Sequence, residues 1–171
     1  MKWVTRERVH VDRTACPWLI KKFIDPQAEF IFVPVEKIEE VVRVQGATPF
    51  DAPRVKLGHK NGKCSFETII DEYHLEDPVL HELAKIVHSA DTSDTELASE
   101  GIGLSAVMTG ARFNVKDDFE AVEKATYVYD ALYSYSKLKL LREKYKDKLE
   151  KLDRKQKYDF LQKKIHEETV R

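Results

Sequence analysis

The sequence contains little cysteine, glycine or proline, and it has no long apolar run. Its 171 residues include two Cys, six Gly and six Pro. Two cysteines are too few for a disulfide framework, which indicates a reduced, cytoplasmic protein. No stretch approaches the roughly 20 apolar residues of a transmembrane helix, so we expect no membrane association. The opening MKWVTRERVH carries no apolar core behind its charges and predicts no secretory signal.

The charges nearly balance, with 29 Lys and Arg against 30 Asp and Glu, but they are unevenly distributed. Residues 137–171 contain 13 basic and 7 acidic side chains, whereas residues 1–136 contain 16 basic and 23 acidic ones. The length suits a single domain. We therefore predict an acidic domain over 1–136 and a basic helical tail over 137–171.

The tail has no Gly or Pro, and its apolar residues recur at steps of three and four, which predicts one long amphipathic helix. The repeating positions are Leu138, Leu141, Tyr145, Leu149 and Leu152. Because acidic residues are interspersed among the basic ones, a solvated helix face is favoured and nucleic-acid binding is not expected. The apolar seam could instead pair two copies as a homodimer.

Segments rich in β-branched residues alternate with apolar-periodic segments in the body, which predicts a helix-rich α+β fold. Strands are predicted over 3–5, 9–12, 29–33 and 55–57. About six helices are predicted, over 16–24, 35–44, 66–73, 78–91, 101–109 and from 117 onward. The helix over 101–109 is short and apolar, so we expect it to be buried.

The first candidate site is the segment Asp12-Arg13-x-x-Cys16-Pro17-Trp18. Proline is favoured in the first turn of a helix, so Cys16-Pro17 predicts a helix start. A helix N-terminus attracts anions, Arg13 adds a fork of donors, and a thiol near such an end can be acidified. Arg13 and Cys16 therefore predict an anion site, supported by Asp12. Alternatively, Arg13 pairs with a carboxylate and Cys16 is a small buried hydrophobe.

The second candidate is a divalent metal site formed by His59, Glu67, His88 and Asp91, with Cys64 in support. His88 and Asp91 lie three residues apart on one predicted helix, so they share a face. Imidazole and carboxylate ligands in this proportion favour Zn, Mn or Fe. The spacing matches no standard zinc signature. Alternatively, Glu67 is an ordinary first-turn carboxylate and the histidines are structural.

The third candidate is Asp130, a carboxylate within the apolar run over 127–133. Burial of a carboxylate is costly unless the group is paired or bound to a metal. Asp130 could anchor Arg13 or a ligand histidine, or it could point to solvent.

The body resembles the chromate-resistance (ChrB) family, specifically its C-terminal domain. The resemblance is carried by the segments 11–26, 29–34, 46–51, 58–59, 64–67, 86–91 and 129–133. It covers about 2–136 and leaves the tail outside. The family's recurring polar positions correspond to Asp12, Arg13, Cys16, His59, Glu67, His88, Asp91 and Asp130. Longer members are chromate-responsive regulators that carry an additional N-terminal portion. Because this sequence begins directly at the shared domain, the resemblance implies a DNA-binding role less strongly for this chain.

Together these patterns predict a cytoplasmic metal-binding domain that is related to chromate resistance and senses or acts on an oxyanion such as chromate. Two alternatives stay open. The first is a metal-dependent enzyme of another substrate, in which the metal activates water. The second is a regulatory or interaction module that uses the basic tail. These hypotheses leave catalytic turnover undecided.

Overall fold

A small parallel sheet forms the N-terminal part of the molecule. The computed structural model describes residues 1–92 and 94–167. Its strands β1 (Lys2–Arg6), β2 (Glu29–Val33) and β3 (Thr48–Pro49) follow the order β2-β1-β3. The strands predicted at 3–5 and 29–33 are confirmed. The strands predicted at 9–12 and 55–57 are wrong, because the first segment leads into a helix and the second supplies only an isolated bridge from Leu57 to Phe50.

Helices account for most of the chain and confirm the helix-rich α+β class. The described residues form α1 (Val11–Leu19), α2 (Ile38–Gln45), α3 (Ser65–Glu72), α4 (Pro78–Asp91), α5 (Glu100–Ala111), α6 (Asp118–Lys144), α7 (Lys146–Glu150) and α8 (Arg154–Glu167). A π-helical turn (Ile20–Ile24) extends α1, and a 3-10 turn (Val35–Lys37) precedes α2. The first six helices correspond to the six predicted in the body. No helix in this part of the chain is long and apolar enough to cross a membrane.

The prediction that Cys16-Pro17 opens a helix is wrong. Helix α1 begins five residues earlier, at Val11, and Pro17 lies inside it. An internal proline removes one backbone hydrogen bond, and the helix widens into the π-helical turn three residues later. The N-terminus of α1 is held from a distant element, because the backbone N–H of Asp12 donates to the Asp91 carboxylate (3.2 Å). The local sequence carries no sign of that contact.

The sheet topology creates an edge suited to a binding site. Helix α1 connects β1 to β2, and α2 connects β2 to β3, so the chain passes from one side of β1 to the other. In open parallel sheets, ligands bind beyond the carboxyl ends of the strands where this reversal occurs. Here that edge lies beyond Arg6 at the end of β1 and beyond Pro49 at the end of β3.

The main core fixes α6 across α1 and α4. Tyr129 on α6 is fully buried, and its hydroxyl donates to the Val11 carbonyl at the start of α1 (3.0 Å). Helix α5 packs closely on α4 through Gly101, where a Cβ atom would lie 2.4 Å from the Ser89 Cβ. The expectation that α5 is buried is only half right, because Ile102 and Val107 on its other face are exposed.

The tail is helical, as predicted, but it consists of three segments and not one helix. Helix α6 passes through the predicted boundary at 136 and ends at Lys144, after which α7 and α8 follow. A reciprocal cap starts α8, because Gln156 N–H donates to the Asp153 carboxylate (2.8 Å) and Asp153 N–H donates to the Gln156 amide oxygen (3.1 Å). The fold-back buries Leu141, Leu149 and Leu161 in a separate apolar cluster.

Candidate metal site

Four polar side chains meet beyond the carboxyl edge of the sheet. Asp12 lies in the first turn of α1, and Asp51 follows β3 by two residues. His59 lies in the loop between β3 and α3, and Asp91 is the last residue of α4. These residues come from three separate segments of the chain: the start of α1, the loop between β3 and α3, and the end of α4. Together they bring three carboxylates and one imidazole close to one another.

One ligand atom from each of Asp12, His59 and Asp91 lies within 4.8 Å of the others, a spacing that could hold a metal ion. We call these residues the open triad. His59 Nε2 lies 3.1 Å from Asp91 Oδ2, 3.3 Å from Asp12 Oδ2 and 3.6 Å from Asp51 Oδ1. The His59 side chain is 48% exposed, so the triad is reached from solvent on the imidazole side.

Asp12 is the buried member of the open triad, only 2% exposed. Its Oδ2 atom accepts a hydrogen bond from the Ser65 N–H at the start of α3 (2.6 Å). Its Oδ1 atom is buried and has no hydrogen-bond partner among the described residues. A buried carboxylate oxygen without a partner is costly, and a bound cation would relieve that cost.

The charges in this cluster shift each other's protonation. Burial raises the pKa of Asp12 to about 6, and the neighbouring Asp91 and Asp51 carboxylates add to the shift. The hydrogen bond to Asp12, together with the surrounding carboxylates, raises the pKa of His59 to about 9. His59 is therefore an imidazolium near neutral pH, and its Nε2 atom would have to lose its proton before it could bind a metal.

Asp51 was not among the sequence-predicted site residues, yet it organises the cluster. Its Oδ2 atom pairs with Arg13 Nη1 (2.9 Å) and Arg6 Nη2 (3.1 Å), and its Oδ1 accepts from the Ser65 hydroxyl (2.8 Å). Its position directly after a strand of a parallel sheet is a general signal for a site residue. That signal was hidden because β3 is only two residues long and has no recognisable strand pattern.

The structure removes the premise of the anion site at Arg13 and Cys16. The anion at the N-terminus of α1 is the Asp91 carboxylate, and Cys16 lies inside the helix. Cys16 is fully buried, and burial raises the pKa of its thiol well above the usual value, the opposite of the expected acidification. Arg13 is paired with Asp51 and donates to the Arg8 carbonyl (3.2 Å). These contacts match the alternatives stated above, and anion binding by Arg13 and Cys16 stays a prediction.

Cys64, Glu67 and His88 form a second group with ligand atoms within 4.8 Å of one another, which we call the closed triad. Glu67 Oε2 lies 2.6 Å from His88 Nδ1 and accepts from the Cys64 N–H (2.9 Å), so it caps α3. The Cys64 thiol is fully buried, and desolvation raises its pKa far above its usual value. The members of the closed triad therefore bind mainly one another.

The predicted ligand set is thus divided between two neighbouring groups. His59 and Asp91 belong to the open triad, and Glu67 and His88 belong to the closed triad. Asp130 lies apart from both in its contacts: it accepts from Trp18 Nε1 (3.0 Å) and pairs with Lys22. Its side chain is 44% exposed, which agrees with the alternative that it points toward solvent.

Comparison with known proteins identifies a family that covers the body of the chain. The family model described as the ChrB C-terminal domain matches residues 3–136. Protein ChrB of Cupriavidus metallidurans is 35% identical over 136 residues, which is 78% of this chain and 40% of that protein. The chain thus spans less than half the length of that relative. No solved structure matches. The matched range agrees with the segments from which the resemblance was drawn.

Proposed function

Because this chain belongs to the ChrB C-terminal domain family, we propose that it is a metal-binding domain with a role related to chromate resistance. The metal is a divalent ion such as Zn, Mn or Fe, held by Asp12, His59 and Asp91. Glu67 and His88, which the sequence pattern also suggested as ligands, serve in this proposal to support α3 and α4. The role in chromate resistance is inferred from the family, whereas metal binding is inferred from the residues of this chain.

The single observation that carries the proposal is the spacing of the open triad's ligand atoms, together with the buried and unpartnered second oxygen of its member Asp12. The three ligand atoms lie within 4.8 Å, and Asp12 Oδ1 has no partner among the described residues. Carboxylate and imidazole ligands together suit the borderline and hard divalent metals. The closed triad offers weaker support, because its carboxylate is already engaged by two donors and its thiol is held protonated.

The oxyanion belongs to this proposal as the second partner. Two arginines, Arg6 and Arg13, pair with the single carboxylate of Asp51, which leaves one positive charge in excess. A divalent cation would balance the charges of Asp12 and Asp91, so the metal-loaded site would carry a net positive charge. A tetrahedral dianion such as chromate is then attracted to the exposed His59 side of the site. Without the metal, Arg6, Arg13 and protonated His59 only balance the three carboxylates of Asp12, Asp51 and Asp91, so the cluster offers a dianion no net positive charge.

We assign this function to the cytoplasm. Cys16 and Cys64 are both free thiols, and unpaired, buried cysteines suit a reducing compartment.

The proposal is tested by titrating the full chain with Zn²⁺ and Mn²⁺ separately in a calorimeter. One ion per chain is expected. We expect His59→Ala to weaken binding by about 100-fold or more, since it removes a ligand. His81→Ala, which removes an exposed histidine of the same helix as Asp91, is the matched control and should leave binding unchanged. Equal affinities in both variants would contradict the assignment.

The oxyanion is tested separately by equilibrium dialysis of chromate against the metal-loaded and metal-free chain, with sulfate as competitor. Binding is expected only to the loaded protein. Equal retention of chromate by the metal-free protein would show that the oxyanion does not need the metal, which contradicts this part of the proposal. No retention by either form would limit the function to metal binding.

A metal-dependent enzyme is the second candidate, favoured by one observation. Three protein ligands with one exposed side leave a coordination position open, as catalytic metal sites do and closed structural sites do not. The metal would supply Lewis acidity there. Hydrolysis of an activated ester such as p-nitrophenyl acetate by the metal-loaded chain, lost in His59→Ala, would favour this candidate, because a metal-activated water is the expected nucleophile. Stoichiometric metal binding without hydrolysis would favour sensing.

A further inference from the structure

The tail contains an apolar groove that the proposed metal site does not use. It lies between α6, α7 and α8 and encloses about 760 Å³. Its apolar lining comes from Leu138, Leu149, Tyr158, Leu161 and Ile165. The groove lies outside residues 3–136, the range that the family model matches. Any ligand of the groove would therefore bind to a part of this chain that the family model does not cover.

Helix α8 supplies one continuous face to this groove. Its lining positions run from Arg154 to Ile165 at steps of three and four residues. Eleven steps along a helix correspond to about 16 Å, or three turns. The groove is thus as long as a short helix and is elongated along α8.

Cations stand on both walls of the groove. Arg142 and Lys146 lie on the α6–α7 side, and Arg154 and Lys157 lie on α8. Glu150 is the single acidic residue among the lining residues that the structure describes. Within residues 1–92 and 94–167, none of these four cations has an ion-pair partner, although salt bridges are frequent elsewhere on the surface. The groove therefore joins an apolar floor to two positively charged walls.

We propose that this groove binds an acidic amphipathic helix of a partner protein. The apolar face of such a helix would lie on the floor, and carboxylates flanking that face would meet the cations on both walls. A single small anion would leave most of the four cations unmatched. A second copy of this tail carries the same charge sign and would be repelled, and a flat anionic membrane would meet the walls without reaching the recessed floor.

The test uses the full chain and a defined probe, a fluorescein-labelled synthetic peptide of about 16 residues. The peptide carries Leu at helical spacing and Glu on both flanks of that stripe, as helix-in-groove ligands do. Two further peptides serve as controls: one replaces every Leu by Ser, and the other replaces every Glu by Lys. Fluorescence anisotropy is expected to show binding of the first peptide alone.

The matched variants separate the groove from the overall charge of the tail. Arg154→Glu combined with Lys157→Glu reverses two groove cations and should weaken binding by about tenfold or more. Lys151→Glu combined with Lys155→Glu makes the same charge change outside the groove lining and should have little effect. Tyr158→Ser truncates a groove-lining residue that is mostly exposed. It therefore tests the apolar contribution to peptide binding without disturbing the buried cluster of Leu141, Leu149 and Leu161.

Four results would overturn the proposal. They are equal losses in the two charge-reversal variants, equal binding of the Ser-substituted peptide, no binding at about millimolar peptide, and groove-dependent binding to vesicles containing phosphatidylserine. The last result would identify a lipid surface as the partner. The metal titrations described above do not involve the tail, so neither proposal depends on the other.

Discussion

The open and closed triads contain similar residue types but hold them in different states. In the closed triad, Glu67 receives hydrogen bonds from His88 and from the backbone of Cys64, and the histidine side chain is 10% exposed. In the open triad, Asp12 keeps one buried oxygen without a described partner, and the histidine side chain is 48% exposed.

Proximity of ligand atoms therefore does not by itself identify a metal site. A network whose members satisfy one another gains little from a cation, since its hydrogen bonds must first be broken. A cluster of carboxylates with an unsatisfied oxygen and an approach from solvent has more to gain. Both triads draw a residue from α4, Asp91 in the open triad and His88 in the closed one, so each serves as an internal control for the other.

The largest effect is expected from Asp12→Asn, which keeps the size of the side chain and removes its charge. Affinity for the divalent metal should fall by more than about 100-fold, beyond the range typical of residues that only support a ligand. The dissociation constant from calorimetry checks this. Asp71→Asn, an exposed carboxylate paired with Lys63, is the matched control and should not change it. An unchanged constant for Asp12→Asn would make the two triads equivalent.

Metal binding in the open triad should strengthen as the pH rises. The pKa of His59 is raised to about 9, so a metal must displace its proton at neutral pH. We expect affinity to rise by up to about tenfold per unit between about pH 7 and pH 9 and then to level off. Calorimetry in buffers of different ionisation enthalpy measures the released proton. A flat profile would mean that His59 does not compete with the metal.

The same shift has a consequence for the metal-free protein. Because the folded-state pKa of His59 lies above its usual value of 6.5, the stabilisation from its charged form is fully present below about pH 6.5 and is lost as the pH rises through about 9. The raised pKa of Asp12 acts alongside it, since ionisation of that buried carboxyl becomes unfavourable to folding as the pH rises through about 6. Thermal unfolding of wild type and His59→Ala across this range should converge at high pH.

The closed triad should matter for folding and not for the metal. Glu67→Ala leaves the Cys64 N–H and the His88 ring without their partner, which should lower the free energy of unfolding by about 2 kcal/mol. Chemical denaturation measures this change. Glu76→Ala, an exposed carboxylate in the loop before α4, should cost less than about 0.5 kcal/mol. A loss of metal binding without a loss of stability would instead move the metal to the closed triad.

The smallest effect is expected from Asp130→Asn. Both partners of the Lys22–Asp130 pair are more than two-fifths exposed, and exposed ion pairs contribute at most about 1 kcal/mol. Metal affinity should be unchanged, since the contacts of Asp130 lie with Trp18 and Lys22. A change in affinity measured alongside Asp12→Asn would reinstate Asp130 as a supporting residue of the site.

Local signals predicted the helices whose ends are capped locally. Asp77-Pro78 and Asp117-Asp118 open α4 and α6 as expected, since each aspartate at the N-cap accepts from a backbone N–H two or three residues later. Gly46 ends α2 with φ 65°, a conformation that glycine adopts without strain. The start of α1 was missed because its cap, Asp91, is 79 residues away.

The composition of the candidate site was largely predictable, but its division was not. His88 and Asp91 share a helix face by spacing, yet residues three apart point about 60° from each other and lie about 4.5 Å apart along the axis. That offset directs His88 to Glu67 and Asp91 to His59. The positions of α3 and of the loop that carries His59 relative to α4 decide which partner each residue meets.

Whether the open triad holds the metal is decided by the metal content of three proteins purified without chelators and incubated with Mn, Fe(II) or Zn in turn. Wild type and Glu67→Ala should each retain about one ion per chain, whereas Asp91→Asn should retain close to none. Retention in Asp91→Asn together with loss in Glu67→Ala would contradict metal binding by the open triad and assign the metal to the closed triad. Loss in all three would leave both triads as structural networks.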